Sequence, residues 1–470
     1  MRGADGDVRA LYSSVAAWLE ASPPAALAAR RAQAEYMFRR IGITFAVYGD
    51  NAGEERLIPF DIIPRLVPRG RWAKLEAGLM QRATALNLFL ADVYGARKIV
   101  ADGVVPAELV YRNPQFRPEV AGKAAPHGVH VHVAGIDLVR TGDDDFFVLE
   151  DNARTPSGVS YMLENREVTM RLMPDLYASH RVAPVEDYPD ALLACLRSVS
   201  PRGKGEDATI VLLTPGAYNS AFYEHSFLAD RMGVELVEGR DLFVEDDVVF
   251  MRTTRGPKRV DVVYRRVDDE YLDPLAFRPD STLGVPGIVG AHLAGNVAIA
   301  NAIGNGVADD KAVYSYMPDI VRYYLGEDPL IPNVPTFRCR EPKALAHVLD
   351  NLDKLVVKEV AGSGGYGMLV GPHADRTERE RFAERLRAAP EDYIAQPTLG
   401  LSTCPVLMDG AAEPRHVDLR PFVLTGADGV RVVPGGLTRV ALKRGSLVVN
   451  SSQGGGTKDT WIVDAPAGLA

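Results

Sequence analysis

Two carboxylates and one amide form the clearest chemical pattern in the sequence. Residues 131–154 contain two apolar runs joined by a Gly-Asp tip, a pattern that predicts a β-hairpin. Side chains on a strand alternate between faces, so Glu150 and Asn152 point the same way, and the ladder sets Asp137 opposite Glu150. Like charges directly opposite on a sheet destabilise it unless a cation lies between them. Because oxygen ligands of this kind suit Mg²⁺, we predict that Asp137, Glu150 and Asn152 bind the metal.

The pairing of Asp137 with Glu150 depends on the register of the hairpin. A loop over residues 142–145, with Thr141 paired to Phe146, produces that register. A solvated hairpin end with scattered acids is the alternative interpretation of this pattern taken alone. Support for the metal site therefore has to come from the rest of the chain.

A strand followed by a glycine loop forms a second pattern, in residues 355–371. Gly362, Gly364 and Gly367 match GxGxxG, but the dinucleotide motif must open a helix, and Pro372 stops the segment that follows. We therefore predict an antiparallel hairpin with a glycine flap, whose backbone N–H groups can approach phosphate oxygens closely. The flap consists of Gly362, Ser363, Gly364, Gly365, Tyr366 and Gly367.

Lys358 lies on the same predicted strand face as Val356 and Val360. A lysine on an apolar strand face requires an anionic partner, which a nucleotide phosphate would supply. A surface hairpin whose lysine extends its ammonium group to solvent is the alternative. Further along, the predicted strand 393–397 ends near Gln396, where backbone groups can hydrogen-bond an adenine edge.

Arginines and histidines that lie among apolar residues are further candidate site residues. Arg420 and Arg439 lie on predicted strands, and guanidinium groups placed this way suit bidentate binding of phosphate or carboxylate. An internal ion pair is the alternative for each arginine. His130 and His132 share a predicted strand face. Three roles are open to them: binding a transition metal, lining the floor of the site, or making ordinary hydrogen bonds.

The composition is typical of a soluble globular protein with two or three domains. The chain has 470 residues, of which 47% are hydrophobic and 24% charged. A net charge of −9 argues against a general nucleic-acid binder. We find no signal-peptide pattern and no apolar run of membrane length, so we expect a cytoplasmic protein. Cys195, Cys339 and Cys404 form no CxxC pair, which predicts buried thiols and neither disulfides nor a zinc site.

The order of predicted elements indicates a mixed α/β fold. Helices are predicted over 8–40, with a break at a proline pair, and over 72–94. A strand, a helix and a second strand alternate over 208–237, as in a small parallel α/β unit. Segment 113–122 is irregular, which is typical both of a substrate-holding loop and of a simple connecting loop. A polar glycine loop is predicted over 450–459.

Together these motifs resemble the ATP-grasp superfamily, specifically its circularly permuted branch, which includes glutathionylspermidine-synthase-like proteins. In ordinary ATP-grasp enzymes the lysine strand and glycine flap come first, whereas here the metal motif precedes them. The resemblance covers residues 41–461 and implies an ATP-grasp fold in permuted order, with a small parallel α/β domain. The implied parts are an N-terminal helical segment (1–40), the metal-motif half of the core (41–197), the small α/β domain (205–285), the lid and glycine-flap half (286–400) and the strands completing the core (401–470).

The resemblance also implies roles for individual residues. Lys358 would contact the α- and β-phosphates, with Lys311 as the candidate second lysine, and the glycine flap would close over the β- and γ-phosphates. The stretch 391–396, which ends at Gln396, would line the adenine pocket. Asp137, Glu150 and Asn152 would hold one or two Mg²⁺ ions. The residues implied to stabilise the transferred phosphoryl group and the acyl phosphate are Arg154, Arg420 and Arg439.

The implied activity is that of an ATP- and Mg²⁺-dependent ligase. A carboxylate attacks the γ-phosphate to give an acyl phosphate, and an amine then displaces phosphate to form an amide. The partners would be a small-molecule or peptide carboxylate and an amine, with no nucleic acid and no membrane, and oligomerisation is left open. The amidase domain of bifunctional glutathionylspermidine enzymes has no counterpart here. A catalytically degenerate nucleotide-binding partner or regulator and a small-molecule kinase are the alternative functions.

Overall fold

The computed structural model describes residues 1–2, 6–42, 44–46, 55–142, 145–203, 207–360, 367–408, 410–446, 449 and 454–465. Helices and strands alternate along most of this length, and the strands form several sheets. The structure is therefore of the mixed α/β class that the sequence predicts.

The α-helices are α1 (Ser13–Ala21), α2 (Pro24–Ile41), α3 (Arg69–Tyr94), α4 (Lys98–Ala101), α5 (Ala107–Tyr111), α6 (Val159–Leu172), α7 (Pro174–Ala178), α8 (Tyr188–Ser198), α9 (Phe222–Met232), α10 (Asp269–Leu272), α11 (Ile288–Leu293), α12 (Lys311–Ser315), α13 (Met317–Leu325), α14 (Pro342–Asp350) and α15 (Arg376–Ala388). Among the described residues, none of these helices is long and apolar enough to cross a membrane.

The strands are β1 (Thr44–Ala46), β2 (Glu55–Leu57), β3 (Phe60–Pro68), β4 (Val133–Thr141), β5 (Asp145–Asn152), β6 (Ile210–Leu213), β7 (Glu235–Val237), β8 (Leu242–Glu245), β9 (Val248–Met251), β10 (Lys258–Arg259), β11 (Val262–Arg265), β12 (Ala298–Ala300), β13 (Phe337–Arg338), β14 (Leu355–Glu359), β15 (Leu369–Val370), β16 (Tyr393–Pro397), β17 (Thr403–Met408), β18 (Ala411–His416), β19 (Phe422–Gly426), β20 (Gly429–Val432), β21 (Thr438–Val440) and β22 (Gly456–Val463).

Prolines account for where several helices begin. The break predicted in the first helical segment is confirmed, and α2 begins at Pro24, where the missing N–H would have no intrahelical partner. Tyr316 separates α12 from α13, so the segment from Lys311 to Leu325 forms two helices and not one. Pro318 lies in the first turn of α13 and would clash with a preceding carbonyl in the interior of a longer helix.

Two sheets form the centre of the fold. One has the order β20-β19-β4-β5 with antiparallel pairs, and the other has the order β21-β22-β3. The segment from Val417 to Leu419 bridges them, since Leu419 pairs with Leu138 of β4 and Val417 pairs with Val440 of β21. The core sheets therefore join strands from both ends of the chain.

The polar glycine loop predicted over 450–459 is wrong at its C-terminal end. Thr457, Lys458 and Asp459 belong to β22, which is buried along its whole length. Lys458 is fully buried, with Nζ at 2.7 Å from Oδ2 of Asp61 and 2.9 Å from the carbonyl oxygen of Ile63. A polar segment thus forms an interior strand because its charge is paired inside the protein and not solvated.

A parallel α/β unit occupies the middle of the chain, as predicted. Its sheet has the order β12-β11-β6-β7, and all of its pairs are parallel. Strands β8, β9 and β10 form a small antiparallel sheet within the same part of the chain. Strand β12 lies beyond the boundary predicted at residue 285, so the sheet of this unit includes chain from the predicted lid half.

Residues 337–397, here called the lid, form a separate antiparallel sheet with the order β13-β16-β14-β15. Helices α14 and α15 pack with one face of the sheet, which carries Val357 and Ala395. Because Val356 pairs with Gln396, and strand side chains alternate, Lys358 and Gln396 share the opposite face. The lid therefore turns a lysine and an amide away from its own apolar core.

Candidate functional site

The hairpin of β4 and β5 carries the predicted metal ligands. Asp137 pairs with Glu150, and Gly135 pairs with Asn152, so the predicted pairing is confirmed. Asp137 lies in the middle of β4 and is fully buried, whereas Glu150 and Asn152 are half-buried. The two carboxylates and the amide therefore face the same side of the sheet.

The turn of this hairpin is one residue shorter than predicted. Thr141 pairs with Asp145, so the predicted pairing of Thr141 with Phe146 is wrong. A β-bulge at Leu149 adds one unpaired residue on β5 and cancels the shift. The turn and the bulge compensate each other, and for this reason the acids still lie opposite each other.

Two arginines bind Asp137. Arg420 donates from Nε to Oδ1 at 2.5 Å and from Nη2 to Oδ2 at 2.8 Å, and Arg439 donates from Nη2 to Oδ2 at 2.6 Å. Burial alone would raise the pKa of Asp137, but the two guanidinium groups outweigh it and hold the pKa well below its usual range. Asp418, which sequence analysis missed, accepts from Nε of Arg439 at 3.0 Å. Asp418 could have been identified from the sequence because it lies two residues before Arg420, and this spacing places both side chains on the same side of an extended segment.

A glycine permits the close approach of Arg420. A Cβ atom at Gly135 would lie 3.1 Å from Cδ of Arg420 and 3.2 Å from Cβ of Pro156. These distances are shorter than ordinary van der Waals contacts. The absence of a side chain at this position therefore lets Arg420 lie across β4 and reach Asp137.

Lysines from two separate elements lie close to Glu150. Lys311 is the first residue of α12, and Lys358 is on β14 of the lid. Burial and the charge of Asp137 raise the pKa of Glu150, and the two lysines oppose that rise. Burial lowers the pKa of Lys358 to about 8, although Glu150 acts in the opposite direction. The predicted metal motif and the predicted lysine strand therefore lie close together, and this group of residues is here called the acid–lysine cleft.

The residues of the acid–lysine cleft fit a divalent cation that takes oxygen ligands. Asn152 donates from Nδ2 to the carbonyl oxygen of Gly135 at 3.1 Å, which leaves Oδ1 as the acceptor. Because Asp137 and Glu150 are in contact and the pKa of Glu150 is raised, a cation between them would replace a proton. The described residues contain no group of three or more His, Cys, Asp or Glu able to hold a metal. Two carboxylates and one amide oxygen are the kinds of ligand that Mg²⁺ takes in proteins, and they would leave further positions on such an ion for other ligands.

The predicted lid hairpin is confirmed by the antiparallel pairing of β14 with β15. Gln396 is buried and donates from Nε2 to Oγ1 of Thr336 at 3.0 Å, where the chain enters the lid. Gly367 has a φ of 70°, in the left-handed region that favours glycine. The predicted flap residues that lie outside the described part of the chain are Gly362, Ser363, Gly364, Gly365 and Tyr366.

Arg154 lies where several irregular segments meet. Its Nε donates to Oδ2 of Asp309 at 2.6 Å, and its backbone N–H donates to Oδ1 of the same carboxylate at 3.1 Å. A Cβ atom at Gly306 would lie 2.7 Å from Cδ of Arg154 and 2.9 Å from Cβ of Gln115. The segment 113–122 therefore lies beside Arg154, and Asp309 is a further residue that sequence analysis missed.

The neighbouring Asp310 positions Lys311. Its carboxylate caps α12 by accepting from two backbone N–H groups of the first turn, at 2.7 and 3.1 Å. The same carboxylate accepts from Nδ2 of Asn113 at 2.9 Å. Asp309 and Asp310 could have been identified from the sequence, because the two acids directly precede a helix that begins with Lys311.

The chain matches a known family over most of its length. The family model described as circularly permuted ATP-grasp type 2 matches residues 64–441. The chain belongs to this family. A glutathione synthetase-like effector from Globodera pallida has a similar structure, with a TM-score of 0.59 over 94% of this chain and 98% of that one, at 12% sequence identity. At that identity the similarity shows the fold alone.

Relatives of this ATP-grasp protein occur in several bacteria. An uncharacterized protein of Synechocystis is 51% identical over 98% of this chain and 95% of its own length. An uncharacterized protein of Mycobacterium tuberculosis is 50% identical over 100% of this chain and 84% of its own length. A protein of Frankia casuarinae with the provisional name glutamate–cysteine ligase 2-2 is 45% identical over 98% of this chain. The match covers only 53% of that Frankia protein.

His130 and His132 of this ATP-grasp protein are buried. Neither ring nitrogen of His132 has a hydrogen-bond partner among the described residues. Burial lowers the pKa of His130 to about 4 and that of His132 to about 3. They are neutral interior residues, and the transition-metal alternative has no support among the described residues.

We expect these two histidines to make the ATP-grasp protein sensitive to acid. Both stay neutral in the folded chain but protonate near pH 6.5 once it unfolds, so stability is fully present above that pH and falls toward pH 4. Each histidine should cost about 1.4 kcal/mol per pH unit in this window. Urea denaturation of His132→Phe should show a flatter dependence of the free energy of unfolding on pH. The same flattening in His373→Phe, which alters an exposed histidine, would contradict this expectation.

The cysteines of the ATP-grasp protein are buried and unpaired, as predicted. Burial raises the pKa of Cys195 and that of Cys339 to about 12. Thiols with such pKa values stay protonated near neutral pH and are poor nucleophiles. The described site therefore offers no thiolate for covalent catalysis at these two positions.

Proposed function

We propose that this chain is an ATP- and Mg²⁺-dependent ligase that joins a carboxylate to an amine through an acyl phosphate. The observation that supports this most directly is the meeting at Glu150 of groups from distant elements. Asp137 comes from β4, Lys311 from the start of α12, and Lys358 from the lid. Lysines facing carboxylates suit a triphosphate bridged to the protein by a metal ion. Membership of the ATP-grasp family supports ATP as the nucleotide.

The nucleotide would lie between the lid and the core. Lys358 and Lys311 would bind its phosphates, and the flap that ends at Gly367 would close over them. Lys358, with a pKa of about 8, is largely protonated at neutral pH and so carries the charge that this role needs. The adenine would contact the lid near Gln396, which marks the end of β16.

Asp137, Glu150 and Asn152 would hold the metal. Bound Mg²⁺ would neutralise phosphate charge and so lower the repulsion between the triphosphate and an incoming carboxylate. Asp137 already binds two arginines, so Glu150 and Asn152 provide the ligand atoms that are less engaged with protein partners.

The arginines would stabilise the charge that develops during phosphoryl transfer. Arg420 and Arg439 are held by Asp137, so their guanidinium groups are oriented before the substrate arrives and need little reorganisation. The substrate carboxylate oxygen attacks the γ-phosphorus and ADP leaves; the amine nitrogen then attacks the acyl carbon and phosphate leaves. Arg154 would orient the acid, because it is fixed by Asp309.

The acid and the amine would be small molecules or peptides. The provisional glutamate–cysteine ligase name of the Frankia relative supports the ligase class, but this chain corresponds to about half of that protein. A glutathionylspermidine-synthase-like reaction is one member of the same class. We place the reaction in the cytoplasm, where a reducing environment suits three unpaired cysteines.

Release of ADP across a matrix of acids and amines tests this proposal. A ligase releases ADP over many turnovers only when both substrates are present, because the acid alone yields at most one equivalent per enzyme, and it forms a product with the mass of acid plus amine minus water. A kinase would release ADP with a single substrate, and a degenerate binder would bind ATP yet release no ADP with any pair. Either of these results would replace the ligase assignment.

Asp309→Asn is expected to lower kcat/KM for the acid about 10- to 100-fold, because Arg154 would lose its charged anchor and its orientation. The ATP-induced melting shift should stay unchanged, since the lysines of the cleft keep their places. Asp280→Asn is the matched control, because Asp280 also accepts from an arginine Nε at 2.7 Å but is exposed. Equal kcat/KM in wild type and Asp309→Asn would remove Arg154 from the acid site.

A further inference from the structure

A cavity lined by arginines lies apart from the acid–lysine cleft. Its volume is about 620 Å³, within the range of small-molecule pockets. It is bounded by the N-terminal segment, β3, the start of β17 and the tip of the β4–β5 hairpin. None of the described residues assigned to the acid–lysine cleft lines it. The arginines that line it are Arg2, Arg9, Arg65, Arg71 and Arg140.

Arg65 and Arg140 form no ion pair with any described residue. Arg65 is 3% exposed and donates from Nη1 to the carbonyl oxygen of Asp418 at 2.8 Å and to Oγ1 of Thr438 at 3.3 Å. Arg140 is half-buried and donates from Nε to Oγ of Ser402 at 3.2 Å. All of these acceptors are neutral, so the two guanidinium charges are not balanced by a described partner.

The residues around Arg65 and Arg140 do not compensate the positive charge of the two guanidinium groups. Burial and the nearby charge of Arg65 lower the pKa of Arg140. Glu413 is the carboxylate among the described residues that line the cavity, and it accepts from Nη2 of Arg415 at 2.8 Å. A buried cation without a counter-charge costs free energy, and guanidinium groups match carboxylate and phosphate groups in shape and charge.

We infer that this cavity is a second anion-binding site, which takes a carboxylate or phosphate group between Arg65 and Arg140. The ring of Phe146, whose centroid is 6.0 Å from the guanidinium carbon of Arg65, provides an apolar wall for the rest of a small organic anion. This inference does not depend on the proposed ligase reaction, because it requires binding alone.

The cavity is connected to the acid–lysine cleft through hydrogen bonds. Arg65 binds the backbone of Asp418, the carboxylate of Asp418 binds Arg439, and Arg439 binds Asp137. Arg140 is on the same strand as Asp137. An anion held by Arg65 would therefore fix the segment that anchors Arg439.

Isothermal titration of the full chain with inorganic phosphate, citrate and glutamate, at constant ionic strength, tests this inference. We expect at least one of them to bind, and Arg140→Gln to weaken that binding about tenfold or more. Arg69→Gln is the matched control, because Arg69 begins α3 near the cavity but pairs with Asp464 at 2.6 Å. Lys358→Met should retain the binding, since its effect belongs to the acid–lysine cleft.

The binding preference among these three compounds identifies the chemical class of the anion. Preference for phosphate would assign a phosphoryl ligand, and preference for citrate or glutamate would assign a carboxylate; both support the site. No binding beyond a chloride control would overturn it, and so would equal weakening in Arg140→Gln and Arg69→Gln. If Arg140→Gln does not fold, Arg140→Lys keeps the charge, removes the planar fork and should weaken binding likewise.

Discussion

Glu150→Gln is expected to lower ATP turnover about 100- to 1,000-fold while the protein stays folded. The substitution removes the carboxylate that we propose as a Mg²⁺ ligand and keeps the shape of the side chain. Burial and the charge of Asp137 raise the pKa of Glu150, so this residue contributes stability that is lost as pH rises through its folded pKa. Glutamine does not ionise, and the free energy of unfolding at neutral pH should therefore equal or exceed that of wild type.

Steady-state ADP release and urea denaturation on the same preparations measure this separation of activity from stability. Glu245→Gln is the control, because Glu245 is an exposed strand glutamate on β8, outside the acid–lysine cleft. It should leave both quantities at wild-type values. Full turnover in Glu150→Gln would remove the metal assignment, and a large loss of stability would make Glu150 a structural residue.

Lys358→Met is expected to weaken nucleotide binding about 10- to 100-fold. Methionine keeps most of the length of the side chain and removes the charge, so the loss reports the ammonium–phosphate interaction. The ATP-induced melting shift and a direct titration with a non-hydrolysable nucleotide measure it. Lys354→Met, which changes an exposed lysine just before β14, should bind like wild type. An unchanged shift in Lys358→Met would place the nucleotide elsewhere.

The pH dependence of nucleotide binding gives a second readout for Lys358. The pKa of this lysine in the free protein is about 8, and a bound triphosphate would raise it. Affinity should therefore be constant below pH 8 and fall above it, by about tenfold per pH unit at most. Lys358→Arg keeps its charge throughout this range, so its affinity should not fall above pH 8. A decline of equal steepness in Lys358→Arg would assign the effect to another group.

The choice of residues in the site came largely from local patterns. Alternation of side chains along one strand places Glu150 and Asn152 on one face in any fold that contains that strand. Polar or charged groups at apolar strand positions identified Lys358 and Arg420 in the same way. Such patterns depend on few neighbouring residues, and for that reason a single chain is enough to reveal them.

The partners of those residues depend on contacts between distant segments. Asp309 and Asp418 look like ordinary surface acids in the sequence, yet each fixes an arginine of the site. Similarly, the buried Lys458 was assigned to a loop, because local polarity cannot show that Asp61 lies within 2.7 Å of it. Pairing of charges in the interior is decided by packing and not by local sequence.

By itself the sequence determined the class of the fold, the strands and helices that hold the site, and the acid, lysine and arginine positions that could bind a metal and phosphates. Only the tertiary structure decided that β4, α12 and the lid bring Asp137, Lys311 and Lys358 to Glu150, and that Asp137 holds two arginines. The physical reason is that local patterns and charge interactions act over different separations along the chain. Strand periodicity acts over a few residues, whereas charges act through space on whatever the folded chain places beside them.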